Sequence, residues 1–547
     1  MSTFQEYTGM IVDVVSEQIF PGKIRVSGGK IDKITTLESG QVQQQYILPG
    51  LVDAHVHIES SMLTPVEFAR VAVRHGTIAT VSDPHEIGNV LGKEGIDYMI
   101  QNGNRVPFKF YFGAPSCVPA TPFETSGAEI NANDIEELMS RDEIKYLAEM
   151  MNFPGVLNQD KLVMDKLRAA QKYGKPIDGH APGLQNEAAQ QYAQAGISTD
   201  HECFTKQEAV DKLNAGMKVQ IREGSAARNF DALISVLKDY PEDIMFCSDD
   251  KHPDELIEGH INRLVVKSMA KGYDLITALK PCTINPKNHY KLDNGLLQEN
   301  DPADFIIIDH PERFNILQTF INGKQVAENK NSLIEAQPTE RPNKFVASTV
   351  KKEDLETEAQ GGKLRVIEVH DGQLVTNELL VDPKIEHGKV VSDTERDILK
   401  IVVLNRYKVS KPAIGFIHNI GLKAGAMIST VAHDSHNIIV VGVTDEEILK
   451  AIEKISDSKG GIGYIKNNQA HILPLPIGGI ISDQDGFTVA EKYKKIDNLV
   501  KQNGSLLSAP YMTLSFMGLL VIPSLKLSDQ GLFDGNQFKF IDLFKIS

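Results

Sequence analysis

From Leu48 to about Asp250, short apolar runs rich in β-branched residues alternate with longer stretches whose apolar residues recur at helical spacing. That alternation predicts parallel βα units. Eight runs read as strands: Leu51 to His57, Thr77 to Ser82, Phe108 to Phe112, Tyr146 to Glu149, Pro176 to His180, Ile197 to His201, Met217 to Ile221 and Ile244 to Ser248. Between the first two, Thr64-Pro65-Val66-Glu67 predicts a helix start, with Thr as cap, Pro at the first helical position and Glu closing a capping box; Thr205 to Glu208 repeats the signal after the sixth strand. Eight consecutive units fit a closed (β/α)8 barrel of the TIM type better than an open doubly wound sheet. The expected barrel covers residues 48–295.

The flanking patterns differ. Residues 1–47 hold short β-branched runs broken by Pro21-Gly22 and Gly28-Gly29, and residues 296–330 return to the same style. Together they predict a composite small β-sandwich subdomain. Residues 331–362 are polar, contain Pro338 and Pro342, and read as a linker or exposed excursion. From 363 to 547 the pattern mixes strands (Lys400 to Leu404, Ile438 to Val443) with a helix (Glu446 to Ser456), an α+β domain. Lys501 to Lys526 carries no charge between its ends, but Pro510 and Pro523 interrupt it, so it reads as buried strands in a core rather than a membrane span.

Composition then narrows the function classes. A chain of 547 residues with 41% hydrophobic and 24% charged residues is an ordinary globular mixture. Its net charge of −16 argues against a broad nucleic-acid or anionic-membrane surface. Cys117, Cys203, Cys247 and Cys282 form no CxxC pair and read as small core hydrophobes, and MSTFQEYTGM has no signal-like run. A reducing cytoplasm is the expectation.

In a βα barrel the chemistry sits at the carboxyl ends of the strands. Here those ends carry His55 and His57, then Asp83 and His85, then Glu149, His180, His201 and Asp249. His55 and His57 are two apart on a strand, so they project from one face. Four imidazoles with two or three carboxylates exceed what one tetrahedral zinc needs and suit a two-metal site with a bridging oxygen ligand. Asp249 is placed to take a proton from water and return it to a leaving nitrogen. An imidazole and carboxylate donor set admits zinc as well as other divalent ions.

These residues resemble the amidohydrolase superfamily and, within it, the bacterial adenine deaminase family. The resemblance rests on GLVDAHVHIESSMLTP from Gly50, SDPHEIGNVLG from Ser82, AEMMN after Leu147, DGHAPGL from Asp178, DHE from Asp200, REGSAA from Arg222, SDD from Ser248 and VAHDSHNIIVVG from Val431. It implies deamination of adenine to hypoxanthine and ammonia by a hydroxide bridging two divalent ions, Mn2+ or Fe2+. It also implies that His55, His57 and Asp249 hold one ion and His180 and His201 the other. Glu149 would stand between them, where many amidohydrolases use a carbamylated lysine; Lys145 lies too early on the strand for that place. His85, supported by Asp83, would be a second acid-base group, and the family implies a homodimer.

Weaker signals remain. Arg222 and Glu223 follow the seventh strand and are expected to line a substrate pocket or form an ion pair. His433, Asp434 and His436 read as a buried hydrogen-bond network or a contact onto the barrel mouth, with a third metal site the lesser reading. His252 reads as a surface residue. The rival functions are another amidohydrolase acting on a cyclic amide or aminated heterocycle, and a non-catalytic barrel scaffold.

Overall fold

The computed structural model describes residues 4–346 and 348–546. The chain opens with β1 (Gln5–Asp13), β2 (Gln18–Ser27), β3 (Lys30–Thr36) and β4 (Tyr46–Pro49). The barrel strands follow: β5 (Leu51–Val56), β6 (Thr77–Ser82), β7 (Lys109–Ala114), β8 (Ile144–Met150), β9 (Ile177–Gly179), β10 (Thr199–Asp200), β11 (Lys218–Arg222) and β12 (Ile244–Cys247). They form two parallel ladders, β5 to β9 and β10 to β12. The seam between β12 and β5 is closed by Asp249 N–H donating to His55 O at 3.0 Å and a bridge from Val56 to Asp249. Between β9 and β10 one backbone bond, Ser198 N–H to Ile177 O at 2.8 Å, joins the ladders.

β9 and β10 are shorter than the sequence pattern suggests because side chains take over the ladder. The His180 N–H donates to Tyr192 OH and the Ala181 N–H to an Asp200 carboxylate oxygen. The helix Pro65–Ala72 starts where expected, with Thr64 Oγ1 accepting from Glu67 N–H at 3.3 Å. Only half of that capping box forms: the Glu67 carboxylate turns to Arg70 and to Gly486 N–H of the carboxyl-terminal region.

After the barrel come β13 (Phe305–Ile308), β14 (Ile316–Ile321), β15 (Lys324–Glu328) and β16 (Asn331–Ser332). They join the amino-terminal strands in one eight-stranded sheet, ordered β16-β15-β14-β13-β4-β1-β2-β3. Strand alternation divides its side chains between two cores. Ile11, Ile47, Phe305 and Ile307 pack in a cluster of the sheet itself, whereas Val12, Leu48, Ile306 and Ile308 pack against the barrel.

Residues 333–362 carry little regular structure but are pinned along the way. Val346 N–H donates to Arg406 O, Pro342 O accepts from Gly478 N–H, and Leu355 is fully buried. The carboxyl-terminal region is built on a nine-stranded mixed sheet that includes Ile398–Leu404 and Ile438–Gly442, beside smaller two- and three-stranded sheets, with helices Asp445–Ser458 and Gly486–Gln502. The uncharged stretch after Lys501 is mostly buried from Pro510 on, but it is not mainly strand. It forms the helix Pro510–Ser515, opened by Pro510 at its first position, before the strand Leu525–Ser528. No helix among the described residues is long and apolar enough to cross a membrane. One hydrophobic cluster runs through both regions, joining Met62, Ile87 and Val90 of the barrel to Ile477, Tyr493 and Phe516.

Candidate active site

The open carboxyl end of the barrel gathers eight buried chemical groups. His55 is the last residue but one of β5 and His57 follows the strand; their Nε2 atoms lie 3.1 Å apart, as expected for positions of one strand face. Glu149, near the end of β8, sits between two imidazole pairs. Its Oε2 is 2.8 Å from His180 Nδ1 and 3.0 Å from His201 Nε2, and its Oε1 is 3.5 Å from His57 Nε2. Asp249 follows β12, with Oδ1 3.3 Å from His57 Nε2 and 3.6 Å from His55 Nε2. Its backbone takes the left-handed conformation, φ 52°, a strained choice for aspartate that the two-sided pairing with β5 holds in place.

Polar partners below the mouth fix this frame. Asp53, also on β5, accepts from Ser248 N–H at 3.0 Å and lies 2.8 Å from His260 Nε2, which ties the first strand to the last. Tyr290 OH donates to Asp178, and the buried Lys212 ammonium pairs with Asp200 at 2.8 Å.

The electrostatics are those of a crowded site. Burial alone would raise Glu149, but the charges of His180 and His201 hold its carboxyl well below the usual range. Burial likewise opposes ionisation of His180, yet Glu202 and Glu149 push it up to about 9. His55 is held well below the ordinary imidazole value by burial, reinforced by His201 and His57. Asp249, whose burial would raise it, is held well below the carboxylate range by Arg222 and His57.

This donor set fits divalent cations. His55, His57 and Asp249 offer atoms within 4.8 Å of one another, and so do His55, Glu149 and His201. His180 and His201 form a further group with Glu202. All donors are nitrogen or oxygen, as borderline and hard divalent ions prefer.

Asp83 and His85 join the same site. His85 Nδ1 is 3.0 Å from Asp83 Oδ2 and 3.4 Å from Glu149 Oε1. Burial lowers the His85 pKa, but Asp83 and Glu86 hold it well above the usual value. Arg222 is buried between Glu202 and Asp249, ion-paired to both, and also lines the cavity. Glu223 is not brought in: its carboxylate pairs with Lys267 on the outside of the barrel.

Two carboxylates were missed by the sequence reading. Glu202 Oε1 lies 3.5 Å from His180 Nδ1 and 3.6 Å from His201 Nε2. Its only signal was its place in the DHE run. Glu86, at the start of the helix His85–Leu91, pairs with His433 and His436 from the other region. The carboxyl-terminal region therefore covers the mouth: His433, Asp434, Leu374, Phe516 and Leu519 line the cavity opposite the imidazoles. His252 is also corrected, being buried with Nδ1 2.6 Å from Tyr493 OH.

Residues 46–326 match the amidohydrolase family and residues 373–539 match the adenine deaminase C-terminal domain. An adenine deaminase of Methanosarcina mazei is 50% identical over 99% of both chains, and one of Salinibacter ruber is 49% identical over 98% of both. Among solved structures, a D-hydantoinase aligns with 60% of this chain and 96% of its own at 15% identity and a TM-score of 0.46. The chain belongs to the adenine deaminases of the amidohydrolase family.

Proposed function

We propose that this protein hydrolyses adenine to hypoxanthine and ammonia. The observation that carries the reading is full-length identity near one half with proteins named adenine deaminase. The site supports it, because each residue the chemistry needs lies at the barrel mouth. In this reading His55, His57 and Asp249 would hold one divalent ion and His180 and His201 the other, with Glu149 as a further ligand. Mn2+ or Fe2+ is the proposed pair, with zinc admitted by the same ligands. Such ions supply Lewis acidity, which makes water nucleophilic near neutral pH.

The protein groups then move protons. Asp249, kept ionised by Arg222, accepts a proton from the attacking water and returns it to the departing nitrogen. His85, kept protonated by Asp83 and Glu86, donates to the purine ring as electron density moves onto it. Arg222 acts through Asp249 rather than on the substrate. We further read residues 1–47 with 296–330, 48–295 and 363–547 as the structural units of a cytoplasmic homodimer that uses neither nucleic acid nor membrane. The charge of −16 and four free buried cysteines support that setting.

The test is chromatography of adenine incubated with protein stripped of metal and reloaded with Mn2+ or Fe2+. Hypoxanthine and ammonia in equal amounts are expected. Hydrolysis of a hydantoin with adenine left intact would replace this function with the cyclic-amide alternative.

A further inference from the structure

The loop Ala432–Asn437 of the carboxyl-terminal region is bound to the barrel mouth by more polar contacts than packing alone requires. Glu86 pairs with His433 Nδ1 and with His436 Nε2. Ser435 Oγ donates to Glu124 of the barrel, while its carbonyl accepts from Tyr407 OH at 2.6 Å. Asn437 Nδ2 donates to Thr125 O at 2.9 Å. The loop is thus fixed from both sides, and the one acidic residue inside it, Asp434, is 2% exposed.

Asp434 is not used by this scaffold. Its Oδ1 lies 3.8 Å from His85 Nε2, and its Oδ2 is buried with no hydrogen-bond partner. The neighbouring His433 Nε2 is likewise buried and unpartnered, on a ring stacked 4.5 Å from Phe516. Both residues line the cavity over the imidazole cluster. A buried carboxylate oxygen left unpaired is costly, so a ligand that donates to it gains the strength of a charge-assisted bond. His85, Glu86 and Asp434 also offer donor atoms close enough for a cation, so metal content is the measurement that separates a cation from a substrate contact.

We propose that Asp434 is a specificity-determining residue that accepts an N–H of the purine's five-membered ring, so that the carboxyl-terminal region completes the substrate pocket. This rests on the adenine reading above. With the amino-bearing carbon over Glu149 and Asp249, part of the purine ring faces the covering loop, where Asp434 lines the same cavity beside His85. Leu374, Phe516 and Leu519 close that side, so a substituent on the ring nitrogen meets both the carboxylate and the apolar cover.

The experiment compares wild type and Asp434→Ala, both reloaded with Mn2+, on adenine and on 9-methyladenine. For the variant, kcat/KM for adenine should fall at least about tenfold, carried mainly by KM, the size of one lost charge-assisted hydrogen bond. The preference for adenine over 9-methyladenine should shrink by a similar factor, and the bound metal should stay at the wild-type level. Equilibrium dialysis of hypoxanthine against metal-free Asp434→Asn and wild type gives a readout independent of turnover and of the larger truncation; weaker binding to the variant is expected. Unaltered KM and hypoxanthine binding, or loss of a metal equivalent in either variant, would overturn the assignment. Wild type that releases no ammonia from adenine would instead remove the proposed function itself.

Discussion

Glu149 is the residue on which the site turns, because its two oxygens face different imidazole groups, His180 and His201 on one side and His57 on the other. In the proposed arrangement, Glu149→Gln loses the charge that both ions share. Metal content and turnover should therefore fall together, as read by metal analysis and ammonia release on the same sample. Full metal content with full activity would contradict the role. Asp249→Asn should fold normally and lose roughly 10²-fold or more in kcat, the usual contribution of a positioned proton carrier. These positions were legible because each closes an apolar run. Glu202 and Glu86 were not, since each follows a histidine already counted and alternation would send a strand neighbour to the opposite face. The strands have ended by then: Glu202 is turned inward by a loop and Glu86 by the first turn of the helix His85–Leu91.

A second residue stands behind the cavity lining. Lys526 is fully buried, its ammonium donating to Leu374 O at 2.7 Å, and burial pulls its pKa from 10.5 down to about 7. Between those values the unfolded chain binds a proton that the folded chain does not, so this group makes stability rise with pH. Below about 7 its penalty is constant. Thermal unfolding of Lys526→Met should show a flatter pH dependence than wild type from pH 7 to 10, with the gain greatest at the lower end; identical slopes would contradict it.

At the level of elements, the weakest seam of the barrel is between β9 and β10. A Cβ on Gly179 would stand 2.5 Å from Thr199 O and 2.7 Å from Ile197 Cγ2, so the two strands meet only because that residue is glycine. Gly179→Ala should cost about 1–3 kcal/mol, the usual range for overpacking, and lower Tm; an undiminished Tm would show that the seam can open freely. The barrel strands were readable from period and flanking turns, including β9 and β10, whose shortening depends on Tyr192 and Asp200 and leaves no local trace. The stretch after Lys501 was misread because a short, wholly buried apolar run has no periodicity to separate helix from strand.

At the scale of the molecule, the two regions share a core and a cavity. Contacts such as Glu86 with His433 join positions more than three hundred residues apart, and single-chain patterning carries no signal of such pairings. A separation of 241 residues likewise explains why His252 read as exposed when Tyr493 covers it. The central claim is that two metal ions, held at the barrel mouth, support deamination of adenine. Its most direct test is titration of Mn2+ into stripped protein while ammonia release from adenine is followed. Activity should rise until two equivalents are bound and then level off; a plateau at one equivalent, or no ammonia at any loading, would contradict the account.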